Sequence, residues 1–231
     1  KTVPVPDGFN FDMWLGPAPE AEFCPARVGV NFRWILDYSG GQLTDWGGHH
    51  PDCAQWGLGT ERSGPVAIKN QKAQWAKHPV YNTATEYYFE CHYASGVKML
   101  IANRDHRPAD EREVRWRGGA TFIGEDGWVW ADRGRHDASS KEILKEEIGP
   151  DETHLYQSDN HVKNFIDCMF SRKETVAPVE IAHRSISLAH LGNISMRLGR
   201  DLKWDPTKEQ ITGDKSASEM LSRPYRKPWK I

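Results

Sequence analysis

The sequence holds no apolar run approaching the roughly 20 residues that a membrane-spanning helix needs, and no charge excess of either sign. It has 30 basic against 32 acidic side chains, a net charge of −2. That balance excludes the clustered basic face on which nucleic-acid binding rests. Cysteine is scarce. Cys24, Cys53, Cys91 and Cys168 stand far apart, with no CxxC pair, and read as free thiols and not as a disulfide framework. No GxGxxG opens a helix after a strand, and no phosphate-binding loop of the GxxxxGK[ST] kind appears, so nothing in the chain reads as a cradle for a pyrophosphate. No signal peptide is visible; the chain opens on Lys1. The compartment therefore stays open, the cytoplasm favoured over export.

Tryptophan, by contrast, is abundant, at ten in 231 residues. Most should be core, since aromatic burial is the default, but the same rings line sugar clefts. Residues 1–30 are rich in Pro and Gly and predict an extended arm, packed down by Phe9, Phe11, Trp14 and Phe23. Residues 31–231 read as one α+β domain. Gly40-Gly41 predicts a flexible turn, and a helix follows over Thr44–Leu58, with Pro51 awkward in its middle. From about residue 64 to 132 the pattern is of strands. Glu86–Tyr93, the turn Ser95-Gly96 and Val97–Ala102 form a hairpin. Thr121–Ile123 and Trp128–Trp130 form another, with a further strand around Trp116. Helices return over 139–148, 160–171 and 178–198, with a short one at 216–221. In the second of these Val162, Phe165, Ile166 and Met169 share one face. The RPYRKPWK run at 223–230 reads as a tail packed on a surface. Grouped strands with flanking helices predict an open, mainly antiparallel sheet with helices on one face.

The chemistry concentrates in Asp45-x-x-x-His49-x-x-Asp52. On one helix these positions share a face. Asp45 can then orient the His49 ring, the usual group for moving a proton near neutral pH. Asp52 would hold the ring from the other side or bind a substrate hydroxyl. The bland alternative is a capped polar helix face. A metal site is the least favoured, for want of a third ligand beyond His50 or Asp52. Arg33, Trp34 and Tyr38 precede the motif and could line the same cleft, with core packing the competing explanation. Of His49 and His50, which diverge by about 100° on a helix, only one should face the cleft. His161 opens a helix, where capping competes with substrate contact. His183 and His190 read as structural.

The run GGQLTDWGGHHPDCAQWGLG resembles the second-domain motif of the Gfo/Idh/MocA oxidoreductases, in which GG precedes D-x-x-x-H-x-x-D and a tryptophan. DMWLGPAP, NFRWILDYSGG, HVKNFIDC, PVEIAHRSISLAHLGNISMRLGR and LKWDP are similar to a bacterial branch of that family, so the resemblance spans nearly the whole chain. It implies a C-terminal α/β domain whose open sheet forms homodimer or homotetramer contacts. It also implies a preceding Rossmann domain, absent from this sequence, that binds NAD or NADP. Sugars, inositols or related polyols would be the substrates. Asp45 would be the acidic partner and His49 the general acid/base, while the family's lysine lies in the domain not present here. Two alternatives share the resemblance: a hydrolase or lyase that recycles its nicotinamide, and a non-catalytic sugar-binding or assembly domain.

Overall fold

The structure, a computed structural model, describes residues 1–103 and 118–230. The strand expected around Trp116 lies outside the described residues. Five strands form one sheet: β1 (Ala67–Trp75), β2 (Ala84–His92), β3 (Lys98–Ala102), β7 (Leu202–Asp205) and β8 (Gln210–Ile211). Their order is β3-β2-β1-β7-β8, and every pairing is antiparallel. The β2–β3 hairpin is the one expected at Ser95-Gly96, with His92 opposite Lys98. No strand is expected where β7 and β8 form; Leu202 and Trp204 alternate inward there over only four residues, too few to show a period in the sequence. A second sheet joins β4 (Ala120–Ile123), β5 (Trp128–Asp132) and β6 (Arg135–Ala138) in that order.

The helix α5 (Val179–Leu198) lies across the inner face of the five-stranded sheet. Twenty residues give it a length of about 30 Å. Leu188, Leu191 and Ile194 meet Tyr87, Phe89 and Cys91 of β2 and Ile68 of β1 in a single core. Gly192 permits the closest approach: a Cβ there would stand 2.3 Å from the Phe89 ring. The outer face of β2 carries Glu86, Tyr88, Glu90 and His92, and there Glu90 accepts from Tyr88 at 2.9 Å and lies 2.7 Å from His92 Nε2. Helices on one face and polar groups on the other make the architecture α+β, as the sequence order predicts.

Three expectations need correction. Residues 1–30 are not wholly extended. α1 (Phe11–Leu15) forms there because the Asn10 side chain accepts from Met13 N, at 2.9 Å, and Gly16 ends the turn. Phe11, Leu15 and Phe23 make a small separate core with Phe9, Trp14 and Tyr38. The expected helix over 139–148 is reduced to a single 3-10 turn, Ile143–Lys145. α4 (His161–Ser171) is present as expected, capped by Asn160, and its apolar face is open to solvent: Val162, Phe165, Ile166 and Met169, with the neighbouring Phe170, are all exposed. The longest correction concerns the motif. Thr44–Leu58 is two helices, α2 (Gln42–Gly47) and α3 (His50–Gly57), broken at Gly48-His49. Pro51 lacks an N–H, and its ring would meet the carbonyl of Gly47 in a continuous helix. In the first turn of a new helix neither matters.

The tail at 223–230 does pack down. Arg226 donates to the backbone oxygens of Asp12, Gly16 and Ala18, and its Nη1 lies 2.6 Å from Asp12 Oδ1, tying the C-terminal run to α1. All four cysteines are free, Cys53 exposed and the others buried. No helix among the described residues is long and apolar enough to cross a membrane.

Candidate functional site

The motif is positioned by α5. Three of its residues, Ser185, Ala189 and Asn193, recur every four positions and so lie in one stripe. Each is almost fully buried. Ser185 Oγ donates to Asp52 Oδ1 of α3 at 2.5 Å. Ala189 lies against Gly47 of α2, where an added Cβ would stand 2.9 Å from the alanine methyl. Asn193 Nδ2 donates to the carbonyl of Gly40 at 3.3 Å. The Gly40-Gly41 pair is therefore a clamped wedge and not a flexible turn. Gly41 has φ +76°, and a side chain there would collide with Thr83 at 2.6 Å. Thr44 Oγ1 closes the wedge by accepting from Gly40 N at 3.0 Å.

On this platform the predicted site residues separate. Asp45 does not reach for His49. Its carboxylate oxygens accept from Arg33 Nη1 at 3.0 and 3.1 Å. The Arg33 guanidinium also lies 5.4 Å from the Trp34 ring centroid, so Arg33 and Trp34 act as a bracket that fixes Asp45. His49 caps α3 through its backbone, with φ −120° and ψ −82°, and its side chain is exposed. The broken helix explains the separation: the shared face of positions i and i+4 exists only where the helix is continuous. Asp52 faces α5 and is committed to Ser185. Tyr38 belongs to the small core, edge-on to Trp14 at 5.1 Å, and burial raises its phenol pKa. His161 is exposed at the start of α4; among the described residues it makes no hydrogen bond or ion pair with the α2–α3 group. His183 is held by Glu209 at 2.7 Å, a structural pairing.

What the fold brings together instead is a corner of α2, α3 and β5. Trp46 stands at its centre, with the rings of His49 at 5.6 Å and His50 at 4.9 Å. His50 turns inward, while His49 turns to solvent. Beside them opens a cleft of about 450 Å3, whose walls include Trp46, His50, Tyr87, Met99 and Phe122. Its mostly apolar lining with a few polar groups is the usual make-up of a small-molecule site. His50 Nε2 lies 3.7 Å from Asp132 Oδ1 at the end of β5. Burial lowers the His50 pKa; Asp132 pushes it the other way, and Arg133 and His49 add to the lowering. The hydrogen bond from Arg135, with a backbone bond from Arg133, holds the Asp132 carboxyl below the usual range. His50 is thus a neutral ring at neutral pH, beside an ionised carboxylate.

Trp46, His50 (weighed in the sequence as the alternative to His49), Asp132 and Arg133 are not picked out by a reading of the sequence. The first two sit inside the motif but face directions that only the helix break sets. The last two belong to a hairpin brought in by tertiary packing, and an Asp-Arg-Gly-Arg turn announces a hairpin and nothing more. Among the described residues, no group of three or more His, Cys, Asp or Glu could hold a metal ion.

An antiparallel sheet backed by helices, with a cleft beside a Trp–His corner, defines an α+β domain. A family model described as "Oxidoreductase family, C-terminal alpha/beta domain" matches residues 1–231. The chain belongs to that family, Gfo/Idh/MocA, as its C-terminal domain. The comparison with curated proteins gave no match.

Proposed function

We propose that this domain holds and deprotonates the substrate of an NAD- or NADP-dependent oxidoreductase acting on a sugar, an inositol or a related polyol. The observation that carries the reading is His49: an exposed imidazole set at a helix break, 5.6 Å from the ring of Trp46, which walls the cleft, in a chain whose family is one of oxidoreductases. The sequence carries no nucleotide-phosphate motif, and in this reading the nicotinamide is held outside the residues described. What this chain supplies is position and proton transfer.

Oxidation of a carbinol needs a base for the hydroxyl proton. A neutral imidazole within hydrogen-bond reach of that hydroxyl can take it. His49 is free to do so because its backbone satisfies the helix start: its carbonyl accepts from Cys53 N at 3.0 Å and its N–H donates to Trp46 O at 3.0 Å. Asp45, with Arg33 fixing both carboxylate oxygens, keeps lone pairs for a neighbouring substrate hydroxyl. The pair then acts on the substrate side by side and not as a relay. Trp46 offers a ring for the apolar face of a sugar. The outer face of the sheet, with Tyr88, Glu90 and His92, is the surface we assign to association between copies of the chain.

The test is turnover of a panel of sugars and inositols with NAD and NADP, by the polypeptide as encoded and by its His49→Ala variant. A loss of about a hundredfold or more is expected, the usual scale for a general base, with circular dichroism unchanged. Equal rates would overturn the reading. Net accumulation of reduced nicotinamide separates a dehydrogenase from a nicotinamide-recycling hydrolase.

A further inference from the structure

The β5–β6 hairpin ends in Asp132-Arg133-Gly134-Arg135, and its charged side chains have different fates. Asp132 faces Arg135 across the two-residue turn, paired in register and bonded to Arg135 Nη2 at 2.5 Å. The Asp132 side chain is only 10% exposed; it also accepts a backbone hydrogen bond from Arg133 and lies 3.7 Å from His50. The hairpin tip is thereby anchored to the first residue of α3. Two of the three charges neutralise each other in making that anchor.

Arg133 is left over. It is exposed, and among the described residues it makes no ion pair. Its guanidinium lies 5.2 Å from the centroid of Trp46, the ring that also walls the cleft and touches His49 and His50. A cation laid on an indole is held in place without being neutralised. A guanidinium offers five donors and no acceptor, in a fork that matches a carboxylate or a phosphate. The other two arginines nearby are committed, Arg135 to Asp132 and Arg33 to the α2 residue Asp45. The field of Arg133 reaches the site, since it contributes to the lowered proton affinity of His50. A neutral polyol has no use for an uncommitted cation at this point, and an anionic one does.

We infer that Arg133, seated on Trp46, is the specificity-determining residue of an anion subsite, and that the substrate is a polyhydroxy compound bearing a carboxylate or a phosphate. This rests on reading the corner as a polyol site and adds the class of polyol. The carboxylate or phosphate would lie between the guanidinium and the exposed edge of His49, with the remaining hydroxyls directed toward the cleft.

The test is calorimetric titration of the 231-residue chain with D-glucuronate, glucose 6-phosphate and glucose, for the wild type and for Arg133→Gln. One or both acidic ligands should bind about five- to tenfold tighter than glucose, the scale of one charge-assisted contact at a partly exposed site. The preference should weaken with added salt. Arg133→Gln should abolish it while leaving glucose binding and the melting temperature unchanged. Whichever acidic ligand binds tighter identifies the group as carboxylate or phosphate. Equal binding of all three, no measurable binding of any, or an unaltered preference in Arg133→Gln would overturn the inference. None of these results bears on His49→Ala turnover, so failure here and failure of the oxidoreductase reading are distinguishable.

Discussion

Ser185, buried in the middle of α5, donates a hydrogen bond of 2.5 Å to Asp52 Oδ1, the third residue of the helix that begins just after His49. The contact ties the motif's last acidic residue to the rigid centre of the domain. Removing the hydroxyl leaves a carboxylate oxygen facing an apolar stripe. Ser185→Ala should cost about 1.5–3 kcal/mol, the range for a hydrogen bond to a charged group. Urea unfolding checks it: a shifted midpoint with an unchanged slope is expected, and an unchanged midpoint would mean that Asp52 finds water instead.

The His50 ring has neighbours of opposite effect, which makes its titration a two-way test. Burial holds its pKa below the ordinary value of 6.5. Asp132→Asn should lower it further, because the carboxylate favours the protonated ring. Arg133→Gln should raise it, because a nearby cation is removed. Proton NMR of the imidazole Cε1–H across the pH range reads both shifts. Because the folded state disfavours the protonated ring, its contribution to stability is complete above the ordinary histidine range. It falls away as the pH drops through 6.5 toward the lowered folded value. A single histidine whose resonance titrates above 6.5 in the wild type, assigned to position 50, would contradict the buried orientation.

Gly192 faces the Phe89 ring, and a methyl there has 2.3 Å in which to fit. Phe89 is itself fully buried and cannot retreat. Gly192→Ala should therefore destabilise by about 1–3 kcal/mol through overpacking, despite the better helix propensity of alanine. Thermal unfolding followed by circular dichroism is the check, and a stabilised variant would place the helix farther from the sheet.

Arg226 gathers four contacts from α1 and the loop after it. Arg226→Ala should release both the tail and the first 25 or so residues to protease while leaving the sheet intact. Limited digestion with trypsin and with chymotrypsin, followed by mass spectrometry, would show cuts after Arg27 and after Tyr225 appearing first. Unchanged digestion would show that the Phe11–Phe23 core holds the arm by itself.

The exposed apolar face of α4 gives an opposite expectation. Phe170 is 85% and Phe165 53% exposed, so replacing either with serine removes little buried surface. Each variant should unfold within about 0.5 kcal/mol of the wild type. A loss of several kcal/mol would mean that the face is covered in solution.

Much of this was legible in the residues. The Ser95-Gly96 hairpin follows from local turn chemistry, and α5 from a stripe of apolar residues at helical spacing. α4 was legible as a helix, with Asn160 as its cap, but amphipathicity says only that one face is apolar and not that the chain covers it. The break at Gly48-His49 was signalled by Pro51 alone, and a proline marks a kink, a break or a first turn equally well. That one ambiguity decided the site: it sent Asp45 to Arg33, His49 outward and His50 into the cleft. Ser185 and Asn193 were hidden for a different reason. A pattern that scores apolar residues passes over small polar ones, although these carry the contacts that place the motif. Asp132 and Arg133 depend on packing between segments distant in the chain, which no local pattern records.

The stripe Ser185–Ala189–Asn193 behaves as a ruler. Its three marks set the heights of Asp52, Gly47 and Gly40 along about 12 Å of helix. Substitution at one mark shifts one contact. Insertion or deletion of a single residue between the marks would turn those beyond it by about 100° and break the alignment of all that follow. This segment of α5 should therefore tolerate replacement far better than any change in length, and a length-altering library across 185–193 should yield almost no folded clones.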